Sequence, residues 1–195
     1  MQVSFILTKA HFLNSKGSQF SLQAPTHILA SLVIRESFRW RYYGFFSFLL
    51  TAVVAFLSHG FLDKLARLTY HPSQAALTDI FWMGFHTMVV LVTLVLLYLF
   101  GKKYFWAIFF SVLPDIDWLI LHTANALGKE VVFYKTPHFH NALNWMMEHT
   151  IPFCYLDNLL DFRLIPIAFL VELLLCGLLW QIYKFLTNRR RNIHF

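Results

Sequence analysis

Four stretches of this chain stay apolar long enough to cross a bilayer, with the polar residues gathered between them. They run roughly from Tyr42 to His59, Phe81 to Phe100, Tyr104 to Leu121 and Leu164 to Phe185. A transmembrane helix needs about 20 such residues to cover a hydrocarbon core roughly 30 Å thick. The second, FWMGFHTMVVLVTLVLLYLF, carries no Asp, Glu, Lys or Arg. Its β-branched residues are no objection, because in lipid only helices and closed barrels satisfy the backbone. The expected architecture is therefore all-α: a polytopic membrane helical bundle of about four transmembrane helices plus short interfacial helices. Thr26–Ile34 is also apolar but too short to span before Arg35, so it is expected to lie in the interface or to re-enter.

Residues 1–24 read as a flexible N-terminal extension. Their apolar stretch is too short, and no basic segment precedes it, for a cleavable signal peptide. Residues 25–188 then form a single integral membrane domain, and 189–195 a basic cytoplasmic tail. Composition agrees: 58% of residues are hydrophobic, 22 are Phe, and only 13% are charged, against about 25% charged in soluble domains. The formal charge of +6 does not gather on one soluble face, so nucleic acid is not an expected partner. Cys154 and Cys176 have no metal-binding or disulfide-framework spacing.

The basic residues set an orientation instead. Eleven of the 16 Lys and Arg, including Arg35, Arg39, Arg41, Lys102, Lys103, Lys184 and Arg189, fall on one side of this topology. Lys64, Arg67, Lys129, Lys135 and Arg163 fall on the other. Both termini are thus expected on the cytoplasmic side of a cell inner membrane. His59, Asp63, His86, Asp115, Asp117, His138, His140 and His149 would then lie in the outer half or the outer loops.

In LSHGFLDKL, His59 and Asp63 are four apart and share a helix face. Imidazole with carboxylate suits zinc or a similar divalent ion; the alternative is a helix-end His and an interfacial acid. LPDIDW places Asp115 about six residues inside a span, where a charge costs about 2.5–3.5 kcal/mol and usually faces a cavity with partners. Pro114 interrupts the helix and could let Asp115 and Asp117 face one cavity. A simple turn between half-helices is the competing reading. In KTPHFHNALNWMMEHT, His138 and His140 would point the same way if extended. The stretch from His140 also has the spacing of an interfacial helix with Trp145 at headgroup level. His86, His122 and Glu172 lie within apolar runs, as packing groups or as ligands and their supports.

PTHILAS, LSHGFLDKL, LPDIDW and TPHFHN together resemble the membrane-bound metal-dependent hydrolase family, which is related to zinc-dependent phospholipase C. Leu113–Asp117 is the most specific of these elements. The resemblance implies metal-site roles for His27, His59, Asp63, Asp115, Asp117, His138 and His140. The chain differs from the family pattern in carrying Trp118 after the second Asp and in the order of its His elements.

The expected function is that of a membrane-embedded hydrolase using a divalent metal, most naturally zinc. It would act on a phosphoester or lipid-like small molecule at the outer face, with membrane lipid as its surroundings. Glu148 or His149 would move the proton. Two other readings stay open: a His-based carrier of an ion or haem, and a non-catalytic assembly protein.

Overall fold

In the computed structural model, residues 23–39, 44–70, 78–128, 136–149 and 155–191 are described. The expected N-terminal extension, Cys154 and the last four residues of the basic tail lie outside them, apart from Gln23 and Ala24. Six α-helices are present among the described residues: α1 (Ala24–Arg39), α2 (Phe45–Leu65), α3 (Ile80–Val112), α4 (Ile116–Ala126), α5 (His138–Glu148) and α6 (Phe169–Arg191). The all-α expectation holds.

Among the described residues three stretches, not the four expected, are long and apolar enough to cross a membrane: Phe45–Leu68, Ile80–Asp115 and Pro166–Arg189. The reason lies in α3. Gly101, Lys102 and Lys103 remain helical, so Phe81–Phe100 and the start of Tyr104–Leu121 join in one helix. The rest of that third stretch is cut off by a 3-10 turn at Leu113–Asp115, where Pro114 sits in the first turn.

A straight helix of 33 residues would be about 50 Å long, far more than the hydrocarbon core. Instead α3 turns back at Tyr104, whose φ of −115° and ψ of 21° are not helical. The helix α6 serves as a ruler. Phe81 packs on Phe169 with ring centroids 5.8 Å apart, and Phe100 packs on Trp180 and Tyr183. Beyond Tyr104, whose hydroxyl lies 3.2 Å from that of Tyr183, the direction reverses. Ser111 reaches the carbonyl of His27 (2.9 Å), and the preceding Thr26 donates to Glu172, far back along α6. Asp79 caps the first arm, accepting from the Phe81 N–H at 2.8 Å, as an N-cap Asp does.

The first arm keeps Leu91, Leu94, Val95 and Leu99 more than half exposed. Such a continuous apolar face is rare on soluble monomers and is the expected surface toward lipid tails. The centre of the bundle is α1, packed against α3, α6 and α2. Its Pro25 occupies the first turn, where the missing N–H is harmless. Ile28, Leu29 and Leu32 meet Leu96, Tyr104, Ile108 and Tyr183 in the main core cluster. At 16 residues, or about 24 Å, α1 is too short to span. Surrounded by protein, it can carry the buried Thr26, His27, Ser31 and Glu36 at a depth that lipid would penalise.

The two ends of the bundle differ in charge. Arg35 bonds Ser47, Lys103 lies 3.7 Å from Glu36, and Lys184 adjoins Tyr183, so these cations gather at one end. His27, His59, Asp63 and Asp115 lie at the other.

Candidate metal centre

Four elements converge at that second end. Near the start of α1, His27 is fully buried. One face of α2, close to its C-terminus, supplies His59 and Asp63, whose Nε2 and Oδ2 are 3.3 Å apart. The i, i+4 spacing puts them on adjacent turns. The 3-10 turn at Leu113–Asp115 brings Asp115 Oδ1 to 3.5 Å from His59 Nε2. From α5 comes His140, with Nε2 3.6 Å from Asp63 Oδ2.

Asp63 lies at the middle of the set. Its Oδ1 is 3.5 Å from His27 Nε2, while Oδ2 faces both His59 and His140. Two groups result in which one donor atom per residue lies within 4.8 Å of the others: His27, His59 and Asp63, and His59, Asp115 and His140.

The tautomer of His59 follows from its surroundings. Nδ1 is 2.7 Å from the main-chain carbonyl of Ser111, a group that only accepts, so Nδ1 carries the proton in the neutral ring. The Nε2 lone pair then faces Asp63 and Asp115, two further acceptors, and makes no hydrogen bond. Asp63 Oδ1 likewise makes none. Acceptors meeting acceptors in a buried place are reconciled by a cation between them, either a proton or a metal ion. The spacing also fits: with metal–donor bonds of about 2.0–2.1 Å, tetrahedral donors sit about 3.3–3.4 Å apart. Since His59 has one available lone pair and belongs to both groups, it can serve an ion in only one of them at a time.

Asp117 stands behind His140 rather than at the centre of the cluster. It is fully buried, its Oδ2 accepts the His140 backbone N–H at 2.9 Å, and the same oxygen lies 3.4 Å from His140 Nδ1. A carboxylate behind a ligating imidazole fixes the ring and raises its basicity. Pro114 lets both acids face the site: the 3-10 turn ends at Asp115, and Asp117 falls in the first turn of α4. Burial pushes the His140 imidazole below its ordinary pKa, against the raising pull of Asp63, which favours the neutral, ligand-competent ring.

The packing of α5 on α2 sets the position of His140. His140, Leu143 and Met147 form its buried face. Gly60 is the contact beneath them: a Cβ there would lie 3.4 Å from Met147 Cγ and 3.5 Å from Leu143 Cβ. Because α5 is helical from His138, residues 138 and 140 point to nearly opposite sides. His138 is exposed while His140 is buried, so the extended H-x-H pairing does not occur. Glu148 and His149 are exposed at the far end of α5, about 12 Å along the helix from His140. The His149 ring lies tilted against Trp145, with centroids 4.7 Å apart, and its Nδ1 lies 2.7 Å from the Trp145 carbonyl.

His86 stacks on Trp82 with centroids 4.0 Å apart, and its Nδ1 is 2.8 Å from the Trp82 carbonyl. It serves its own helix and lies outside both groups. The side chain of His122 is outside the described residues. Glu172 is buried and accepts from Thr26, whose Oγ1 also lies 3.2 Å from Cys176 Sγ. It thereby fastens α6 to α1 one residue from His27.

Ser111 was not visible as a site residue, since its contribution to His59 is a main-chain carbonyl. Its one signal was a hydroxyl in the otherwise apolar run FFSVL. Comparison with protein-family models, with curated proteins and with solved structures finds no match to this chain.

Proposed function

We propose that this protein is a membrane-embedded hydrolase that uses one divalent metal ion, acting on a phosphoester or lipid-like substrate. The observation that carries the reading is the convergence of three imidazole Nε2 atoms on the Asp63 carboxylate, with Asp115 beside His59. His27, His59, Asp63 and His140 would hold the ion, and this mixed imidazole–carboxylate set favours zinc. The ion would supply Lewis acidity, activating a water and polarising a phosphoryl or acyl oxygen.

Asp115 has a side chain 34% exposed, the most accessible of the paired groups, against 12% for Asp63. In this proposal its carboxylate takes the proton from the attacking water, the role the sequence offered to Glu148 and His149. Asp117 holds the His140 ring in place, and the Ser111 carbonyl holds that of His59. His138 stays outside the centre. The charge asymmetry supports an orientation with the cluster on the outer side, since Arg35, Lys103 and Lys184 gather at the opposite end. The amphipathic α5, with Trp145 62% exposed, suits the outer headgroup layer, where a lipid-like substrate would arrive.

The test is elemental analysis of the purified protein in detergent, paired with hydrolysis of a chromogenic phosphodiester. About one divalent ion per chain is expected, lost in Asp63→Ala and kept in Asp115→Asn, with turnover lost in both. An ion-free wild type that takes up no zinc on addition would overturn the metal centre. A loaded protein that hydrolyses neither phosphodiester nor ester substrates would overturn the hydrolase.

A further inference from the structure

At the end of the bundle away from the His and Asp cluster, a cavity of about 190 Å³ opens between α1, α2 and the returning arm of α3. Its polar lining is cationic: Arg35 from α1 and Lys102 and Lys103 from the turn of α3, with Thr51 of α2. Ser47 Oγ accepts from Arg35 Nη1 at 2.8 Å, which fixes the guanidinium at the cavity wall. Lys103 lies over the Tyr104 ring, 4.5 Å from its centroid.

The nearby acid does not cancel this charge. Glu36 is buried, accepts from the Tyr104 hydroxyl and lies 3.7 Å from Lys103. Among the described residues, three cations and one carboxylate leave the cavity net positive. Its other wall is aromatic. Phe48 meets Trp106 edge to face at 5.9 Å, and both are partly open to the surroundings of the bundle, at 36% and 54% exposure.

We infer that this cavity binds a phosphate group, with Arg35 and Lys102 as its principal partners. The exposed Phe48–Trp106 wall favours an anionic phospholipid as the source, its headgroup in the cavity and its acyl chain along the aromatic rings. Basic pockets between membrane helices recognise anionic headgroups in this way, and a guanidinium supplies paired donors to phosphate oxygens. The site lies at the other end of the molecule from the metal centre and does not depend on that centre's chemistry.

Native mass spectrometry of the full-length protein in detergent tests the inference. The titrants are phosphatidylglycerol, phosphatidylcholine of matched chains, and inorganic phosphate. A preference for phosphatidylglycerol over phosphatidylcholine of about tenfold or more is expected from the cationic lining. Lys102→Glu should abolish the preference; because Lys102 is exposed, this variant should keep the fold, checked by an unchanged melting temperature and α-helical circular dichroism. Arg35→Gln should reduce the preference, and Trp106→Ala should weaken both lipids alike. Displacement of bound phosphatidylglycerol by inorganic phosphate at low millimolar concentration would keep the phosphate site but assign it to a soluble ligand. Equal binding of the two lipids together with no phosphate binding would overturn the inference, as would a full preference retained in Lys102→Glu.

Discussion

Replacing Asp117 by Asn separates a group that orients a ligand from one that holds the ion itself. Asp117 Oδ2 accepts the His140 backbone N–H at 2.9 Å and lies 3.4 Å from His140 Nδ1. An Asn of the same shape can still accept the backbone N–H through its amide oxygen, so the start of α5 stays capped. What is lost is the negative charge behind the ring. Losing such a partner weakens metal affinity about 10–100-fold, which is about 1.4–2.7 kcal/mol. Were Asp117 a direct ligand, the loss would be larger, because a charged donor itself would be gone. Asp117→Ala adds a different defect: the fully buried His140 N–H loses its acceptor, costing about 1–3 kcal/mol of stability. The assay is competition for zinc between the detergent-solubilised protein and a chromophoric chelator, with thermal melting of the metal-free forms alongside. The expected pattern is a moderate affinity loss with near-native melting for Asn, and losses in both for Ala. Wild-type affinity in Asp117→Asn, or complete loss of binding, would refute the orienting role.

Gly60→Ala should be tolerated, because its Cβ would meet Met147 and Leu143 at ordinary contact distances. Gly60→Ile should push α5 off α2 and carry His140 with it, lowering metal content while α-helical circular dichroism stays near native. Burial holds the His140 pKa below its ordinary value, so the unfolded chain binds the proton more readily and His140's contribution to stability falls as pH drops below about 6.5. Melting of the metal-free protein between pH 7.5 and 5.5 should show this loss, and His140→Gln should lessen it; an identical pH profile in both would count against the burial argument. The ion pair with Arg163 lowers the Asp161 pKa to about 2, yet Asp161 is exposed. Arg163→Ala should therefore change stability by no more than about 0.5 kcal/mol, and a larger shift in melting would show that the pair anchors the Phe162–Arg67 contact.

Much of the site was legible because metal-ligating side chains in an apolar chain stand out. His59 and Asp63 meet through simple helical spacing, and Pro114 pointed to the break that lets Asp115 and Asp117 face inward. The roles of His138 and His140 were not separable, since the motif reads alike as strand or helix and only α5's helical start turns one ring out. The count of spanning stretches failed at Gly101–Lys103. A glycine and two lysines read there as a gap between two spans, yet they stay helical, and the reversal at Tyr104 is fixed by contacts far apart in sequence, such as Tyr104 with Glu36 and Tyr183. The burial of α1 was similarly hidden. Thr26–Ile34 reads as interfacial or re-entrant because it is apolar but short, whereas packing of the whole 16-residue helix against α2, α3 and α6 supplies the partners that its polar groups need.

The charge balance of the centre explains why so many acids can sit together in this bundle. Asp63 and Asp115 face the same imidazole nitrogen within 3.5 Å, and Asp117, two residues beyond Asp115, is fully buried. Each isolated charge at membrane depth costs about 2.5–3.5 kcal/mol, and like carboxylates in close quarters raise that cost. One divalent cation would cancel Asp63 and Asp115, leaving the three imidazoles neutral as ligands. Asp117 would then serve as the counter-charge behind His140, whose ring the ion would polarise from its other nitrogen. Binding of the ion would thereby be coupled to the stability of the bundle. The strongest consequence is thermal: chelation should lower the melting temperature of the wild type substantially, while Asp63→Ala, which removes the carboxylate shared by all three imidazoles, should melt at the same temperature with or without chelator. A wild type whose melting is unmoved by chelation would mean that these acids are balanced by protons rather than by a metal.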